Sequence, residues 1–365
     1  MALKRLFKLG IWMPLFVVFM GCNSPQETEL AKQQLSVPEG YYGSVLRFPD
    51  GEIFLQGGRL GSPGLGTLSY YVLLEERFVE IPFTDDSRCR RTEYLSPTVL
   101  PDGRLGLSEM CFGRWPDKPI GRDSVRYIVA YDWTTGQLEQ IVDEPLPFES
   151  GSFSWNPEMT HGVQDIGSLL GTIYWITPDG IEPMTITVGS GEQSWALDEN
   201  LAVMDDYRLG NDRTIEVGIA RRPAWSPDGR LIAFWASTNL IGREGMARAR
   251  GSYALYLLDP DTLQLQQILD NVRNDDKLVW SPNSKWLLFG GDIESSRHSL
   301  WLISVDGNTL KFVDEGADFD FFYNFEGWNW LNDQEIIATN CLDPDCNQSE
   351  VVTYDVSEIV GVAQE

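Results

Sequence analysis

The chain has 365 residues, with 54 acidic against 28 basic side chains and a formal net charge of −26. That balance argues against nucleic acid as a partner, because such binding rests on Lys and Arg neutralising phosphates. It also disfavours broad adhesion to anionic membrane surfaces, and helix signals are nearly absent.

The first element in chain order is a targeting segment. Lys4, Arg5 and Lys8 precede an apolar run over 9–20. The run is too short to cross a bilayer, which takes about 20 residues, so 1–21 reads as a secretory signal peptide. Its removal takes away three positive charges and no negative ones, leaving −29. It ends in Phe19-Met20-Gly21-Cys22, which resembles the lipobox of bacterial lipoproteins. The resemblance implies cleavage before Cys22 and lipidation of its thiol. The mature chain would then be anchored outside the cytoplasmic membrane, on a periplasmic or cell-surface face. An ordinary signal peptide with an unrelated Cys is the alternative. Residues 22–40 are polar, lack apolar periodicity and are expected as a flexible tether.

A turn signal then recurs. Its copies are Phe48-Pro49-Asp50-Gly51, Leu100-Pro101-Asp102-Gly103, Trp155-Asn156-Pro157-Glu158, Trp195-Ala196-Leu197-Asp198, Trp225-Ser226-Pro227-Asp228-Gly229, Trp280-Ser281-Pro282-Asn283 and Trp330-Leu331-Asn332-Asp333. An apolar strand-like run follows most of them. Pro presets φ, Asp or Asn caps the turn, and Gly takes φ > 0 without steric cost, so each copy reads as the corner of a hairpin. Second hairpins follow at 127–142, 173–188, 255–269 and 300–313. Two hairpins per repeat make a four-stranded sheet, and radial repetition of such sheets makes a β-propeller. The fold expected for 41–365 is therefore an all-β propeller with seven blades. Six is the alternative, because the unit between Trp195 and Trp225 is too short for four strands.

Trp225-Ser-Pro-Asp-Gly-Arg-Leu-Ile-Ala-Phe234, followed by Leu255-Tyr-Leu-Leu-Asp259, resembles the repeat of TolB-like and prolyl-oligopeptidase-type propellers, relatives of the WD-type repeat. The resemblance implies the fold and a precedent for partner binding. Propellers host enzymes, scaffolds and receptors alike, so it carries no activity. The α/β domain that precedes the TolB propeller has no counterpart here, nor has the Gly-x-Ser-x-Gly of the oligopeptidase hydrolase domain.

Besides Cys22 there are four cysteines, an even number that suggests disulfides in an exported chain. Cys341 with Cys346 would close a short loop, leaving Cys89 with Cys111. Zinc is disfavoured, since no CxxC spacing occurs and His161 and His298 lie near no Cys. No cofactor or metal is expected. The acidic pairs Asp85-Asp86, Asp205-Asp206 and Asp275-Asp276 lack the ordered spacing of a calcium loop, and His161 reads as a solvated loop residue.

Two segments stand apart as binding candidates. Arg243, Arg248 and Arg250 form a basic insertion inside the best repeat. Phe319, Tyr323, Phe325 and Trp328 belong to an aromatic–acidic run that could stack a sugar or hold a cationic peptide; rings packed between blades are the plainer reading. The function expected is an anchored binding or scaffold module for an envelope protein or glycan. The alternative is a glycan- or peptide-processing hydrolase with an acidic pocket at the propeller centre, although no catalytic residues can be named.

Overall fold

The computed structural model describes residues 30–38, 41, 43–57, 68–81, 91–112, 124–143, 150–166, 173–183, 219–237, 240–243, 246–249, 253–273, 276–293, 299–315, 325–342 and 349–362. Strand β1 (Lys32–Leu35) comes first in the chain but closes the ring last. Blade 1 holds β2 (Val45–Arg47), β3 (Ile53–Gln56), β4 (Leu68–Val72) and β5 (Arg77–Ile81). Blade 2 holds β6 (Arg91–Val99), β7 (Leu105–Phe112), β8 (Ser124–Asp132) and β9 (Gln137–Gln140). Blade 3 holds β10 (Ser150–Trp155), β11 (Gly162–Ile166), β12 (Ile173–Thr177) and β13 (Gly180–Pro183). Blade 4 starts with β14 (Ile219–Trp225) and β15 (Ile232–Ser237), is interrupted by a separate hairpin of β16 (Leu240–Arg243) and β17 (Met246–Ala249), and finishes with β18 (Tyr253–Leu258) and β19 (Leu265–Val272). Blade 5 holds β20 (Leu278–Trp280), β21 (Trp286–Gly291), β22 (Ser299–Ser304) and β23 (Leu310–Glu315). Blade 6 holds β24 (Phe325–Trp330), β25 (Glu335–Cys341) and β26 (Ser349–Asp355), with β1 as its outer strand. A short helix, α1 (Ser357–Val362), ends the described chain.

Of the two blade counts left open by the sequence, the described residues give six four-stranded sheets. The Trp195 copy lies outside the described residues. The expected tether is shortened. Lys32–Leu35 pair antiparallel with Val351–Tyr354, so the propeller begins before residue 41. One strand from the front thus completes the sheet begun by the last three and ties both ends of the ring into one blade.

The recurring turn acts as a clamp. Ser226 Oγ donates to Asp228 Oδ1 (2.7 Å) and accepts from Leu231 N (2.9 Å). Ser281 Oγ repeats this with Asn283 Oδ1 (2.8 Å) and Trp286 N (2.9 Å). Gly229 sits at φ 72°, the left-handed region that favours glycine. The clamps also join around the ring: Asp228 N donates to Ser284 Oγ (3.1 Å), and Asn283 N to Asp333 Oδ1 (2.9 Å). The tryptophans add a second tie between blades. Trp280 Nε1 donates to Ala224 O (2.9 Å) and Trp330 Nε1 to Val279 O (3.3 Å). Each indole therefore bonds the backbone of the preceding blade while its ring fills the space between sheets.

The turn aspartates give the stability a pH dependence. Hydrogen bonds from Thr134 and Thr135 hold Asp132 down at about 2. Asp259, Asp306 and Asp355 are lowered by equivalent bonds, from Thr262, Ser304 and Ser357. Burial pushes Asp228 up, but bonds from Ser226 and Arg230 outweigh it and leave the carboxyl below its usual value. A carboxyl depressed by folding contributes stability above the ordinary carboxylate range and loses it as pH falls through the depressed value. The urea midpoint is expected to decline steadily between roughly pH 4 and pH 2. A midpoint that holds level or rises over that window would contradict this account.

Candidate functional site

All hairpin turns of the repeat lie on one face of the ring. In blade 5, Val305 N, in the turn after β22, bonds Lys285 O, in the turn after β20, and so fixes both turns on the same side. The other face receives the ends of the second strands and the starts of the first and third. The β16–β17 hairpin rises from it, and β24 starts there. The described parts of both segments singled out in the sequence thus start from one face. Within the hairpin, Arg243 stands opposite Met246 and Arg248 opposite Ile241. Arg250, Phe319 and Tyr323 lie outside the described residues, while Phe325 opens β24 opposite Asn340. Trp328 corrects an expectation. It is 4% exposed and packs with Trp286, Trp330 and Tyr354 between blades 5 and 6, so it is core and not part of a binding wall.

Of the cysteines, Cys111 is buried and disulfide-bonded. Cys22, Cys89 and Cys346 lie outside the described residues, and Cys341 ends β25 opposite Ser349. His161 is exposed in the blade 3 turn, where its Nδ1 lies 3.1 Å from Thr160 Oγ1. Asp276 alone of the six paired acids is described.

The first strand of each blade lines the central channel. Counting three residues back from the end of each of these strands gives Ser44, Ser96, Ser152, Arg222, Lys277 and Gly327, one per blade. The sequence reading passed over this level, since the positions differ in type and only their spacing from the turn unites them. β-bulges interrupt the pairing here in β6, β10, β14 and β24, which re-aims side chains at the channel rim. Ser96 and Arg222 take φ of 50° and 54°, a strained conformation for non-glycine residues. Such strain persists only where the surroundings enforce it. For Arg222 the enforcing group is Asp165 on β11. Its buried carboxylate accepts Ser152 N (2.6 Å) in its own blade and Arg222 N (2.7 Å) in the next. Burial raises the Asp165 pKa, with Arg222 pulling the other way. Arg222 Nη1 also donates to Ser152 Oγ (3.0 Å).

Lys277 reveals where its side chain points. Its Nζ lies 3.5 Å from Val45 O of blade 1, although its own strand belongs to blade 5. To pass blade 6 it must cross the channel. Asn329 Nδ2 of blade 6 meets the same carbonyl at 3.1 Å. Enclosure by protein, and then the charge of Arg222, push the Lys277 ammonium down to about 8. The Lys277 side chain is nonetheless only partly buried. Among the described residues, no carboxylate lies within ion-pair distance of Lys277. Among the described residues, this level of the channel carries Ser44, Ser96, Ser152, Arg222 and Lys277, with the Asp165 carboxylate behind it.

Two shallow grooves lie on the turn face. One, of about 580 Å³, runs between blades 2 and 3 along Asp102, Arg104, Glu139, Trp155 and Met159. Its arginine is already paired with Asp102 (2.7 Å) and Glu139 (2.6 Å). The other, of about 660 Å³, lies beside Asp333, Asp355 and Ser357. No group of three or more His, Cys, Asp or Glu side chains able to hold a metal occurs among the described residues. Nor, among these residues, is any helix long and apolar enough to cross a membrane.

No protein-family model matches the chain, and no curated protein is similar to it in sequence. Solved structures are similar in fold. An oligogalacturonate lyase from Vibrio parahaemolyticus aligns with TM-score 0.50 at 10% identity, covering 92% of this chain and 96% of that one. A TolB protein of Agrobacterium tumefaciens aligns with TM-score 0.48 at 16% identity over 86% and 89% of the two chains. TolB of Acinetobacter baumannii aligns with TM-score 0.33 at 18% identity over 75% and 64%. At 10% identity the likeness to the first of these establishes the β-propeller fold and nothing about activity.

Proposed function

We propose that this chain is an extracytoplasmic binding module, anchored through a lipid on Cys22, that grips an envelope protein or glycan with the face opposite its hairpin turns. The observation that carries this reading is where the chain enters the ring. β1 runs toward the loop face, and just before it Ala31 O accepts Asp355 N at the turn face. An anchor upstream of Lys32 therefore pulls on the turn face. The β16–β17 hairpin and the channel level of Lys277 then look away from the membrane. Roughly nine tether residues would reach about 30 Å when extended, enough to clear lipid headgroups. The hydrolase alternative called for paired carboxyls at the centre. The described side chains on this channel level that support the present reading are serines, Arg222 and Lys277, not the carboxyl pair that glycoside hydrolysis uses.

Photo-crosslinkers placed at single cysteines test the orientation in intact envelopes. Ala247→Cys on the hairpin is expected to give a discrete crosslinked product, and Gln334→Cys on the turn face none. Equal products from both positions, or a product only from the turn face, would reverse the assignment.

A further inference from the structure

We propose that the groove between blades 2 and 3 on the turn face takes a lysine or arginine side chain of a partner peptide. The apolar stem would lie on the floor formed by Trp155 and Met159, with the cationic tip at Asp143 and Glu158. This site is independent of the anchor and of the loop-face partner.

At about 580 Å³ the groove is within the size range of ligand sites, and Trp155, Met159 and Ile141 lie among prolines on its floor. The indole there differs from those of later blades. Trp280 and Trp330 use Nε1 to bond a carbonyl of the preceding blade (2.9 and 3.3 Å). Trp155 is 5% exposed, yet its Nε1 has no hydrogen-bond partner. Trp225 shares that lack, but it packs against Trp175 and lines neither groove. A buried donor left unpaired is costly, and a main-chain carbonyl of a bound peptide is an acceptor that would relieve the cost.

Met159 adds a second sign. It takes φ of 56° at the turn position that Gly51, Gly103 and Gly229 fill at 93°, 84° and 72° in three other blades. A long side chain is strained there, and strain of this kind clusters where function uses it. Met159 packs half-buried on the cluster that holds Trp155 and brings a flexible, polarisable thioether to the groove. The rim sets the charge of the ligand. Its arginine, Arg104, is already held by Asp102 and Glu139. Two further carboxylates remain, Asp143 and Glu158, and neither has an ion-pair partner; Glu158 Oε2 accepts only the neutral Asn156 Nδ2 (3.0 Å). Lysine and arginine join an apolar stem to a cationic tip, which matches this floor and this rim together. An anionic peptide would be repelled.

The test uses purified protein comprising residues 23–365, with isotope-labelled methionine methyls, and a fluorescent Arg-Leu-Arg-Leu-Arg peptide in about 0.15 M sodium chloride. Saturable binding is expected, and the Met159 methyl signal, identified through Met159→Leu, should shift as the peptide is added. The matching Gln-Leu-Gln-Leu-Gln peptide should bind about tenfold more weakly or not at all. With a net charge of −26, the whole chain attracts cations, so a charge-matched control is required. Asp143→Asn with Glu158→Gln is expected to weaken binding about tenfold. Asp261→Asn with Glu358→Gln removes the same charge away from the groove and should change binding by less than about twofold. Met159→Gly restores the residue of three other blades, so it should fold, and it should weaken binding by about threefold or more. Equal weakening by the two acid pairs, equal binding of the glutamine peptide, a Met159 methyl that does not move at saturation, or no saturable binding overturns the proposal.

Discussion

Trp330→Ala is expected to lower the unfolding free energy by about 3–5 kcal/mol, the usual cost of deleting a large aromatic from a packed core. Trp330 is fully buried and packs with Trp286, Leu288, Ile336 and Tyr354 where blades 5 and 6 meet. The space left has rigid strands on both sides, which limits collapse. Loss of the indole also removes the buried bond from Nε1 to Val279 O, a carbonyl still held by the β20–β21 ladder. That lost hydrogen bond adds about 0.5–1.5 kcal/mol, so the upper part of the range is the better expectation. Trp301→Ala is the internal comparison. Its ring is only half-buried, against Phe312 on the outer strand, and its Nε1 bonds Gly291 O (3.0 Å). It should cost less than half as much. Urea unfolding of both variants checks the ranking, and a Trp330→Ala cost under about 1.5 kcal/mol would show that the inter-blade indoles are not the ties described.

This ranking follows from features partly visible in the sequence. The turn copies are legible because Pro, Asp and Gly act locally; a turn needs no tertiary partner to be recognised. The tryptophan before each turn was readable as a strand residue. Its role as a tie to the preceding blade was not, because the partner carbonyls at 224 and 279 carry no side-chain signature. The choice between seven and six blades turned on the unit at 195–222. Local signals there, Trp195 and an apolar run, resemble a blade start without supplying four strands. Trp328 was assigned to a possible binding wall because alternating aromatics suit either a wall or an interior; the register of β24 decides for the interior. The channel level at 44, 96, 152, 222, 277 and 327 went unseen for a different reason. Its members share a position and not a residue type, so their relation emerges only when the blades are superposed on the closed ring.

β1 was missed most completely, and its removal gives the other large effect. Lys32-Gln-Gln-Leu35 has one apolar residue and reads as linker, yet it completes blade 6. What holds it is specific. Lys32 Nζ bonds Asp314 Oδ2 (3.0 Å) on blade 5 and Glu350 Oε1 (3.2 Å) on blade 6, and lies over the Tyr354 ring. Burial alone would pull its pKa down, but the two carboxylates outweigh this and hold it above its ordinary value. Tyr354 Oη in turn donates to Asp314, so one cluster fastens the closing strand to both blades beside the seam. Leu30 and Leu35 pack on the cores at either end. A chain starting at Val37 leaves the edge of β26 unpaired and these contacts unmade. Two partly buried leucines and a four-residue ladder amount to about 3–6 kcal/mol, a fall of roughly 10 °C in melting temperature. The bare edge should also promote aggregation. A chain starting at Leu30 should melt like one starting at Asn23. A synthetic peptide of residues 30–37, added in excess to the shortened chain, should restore part of the loss by pairing with β26. If the chain starting at Val37 melts within about a degree of the chain starting at Leu30, β1 is dispensable and the ring is held closed by the blade 6 to blade 1 contacts alone. Those contacts are visible: Gly327 is pressed so closely against Gly43 and Val45 that a Cβ there would lie 2.7 Å from Gly43 O, and Thr339 Oγ1 donates to the same carbonyl at 3.2 Å. Their sufficiency is therefore the specific competitor that the truncation pair discriminates against, and the rescue by peptide distinguishes lost pairing from lost solubility.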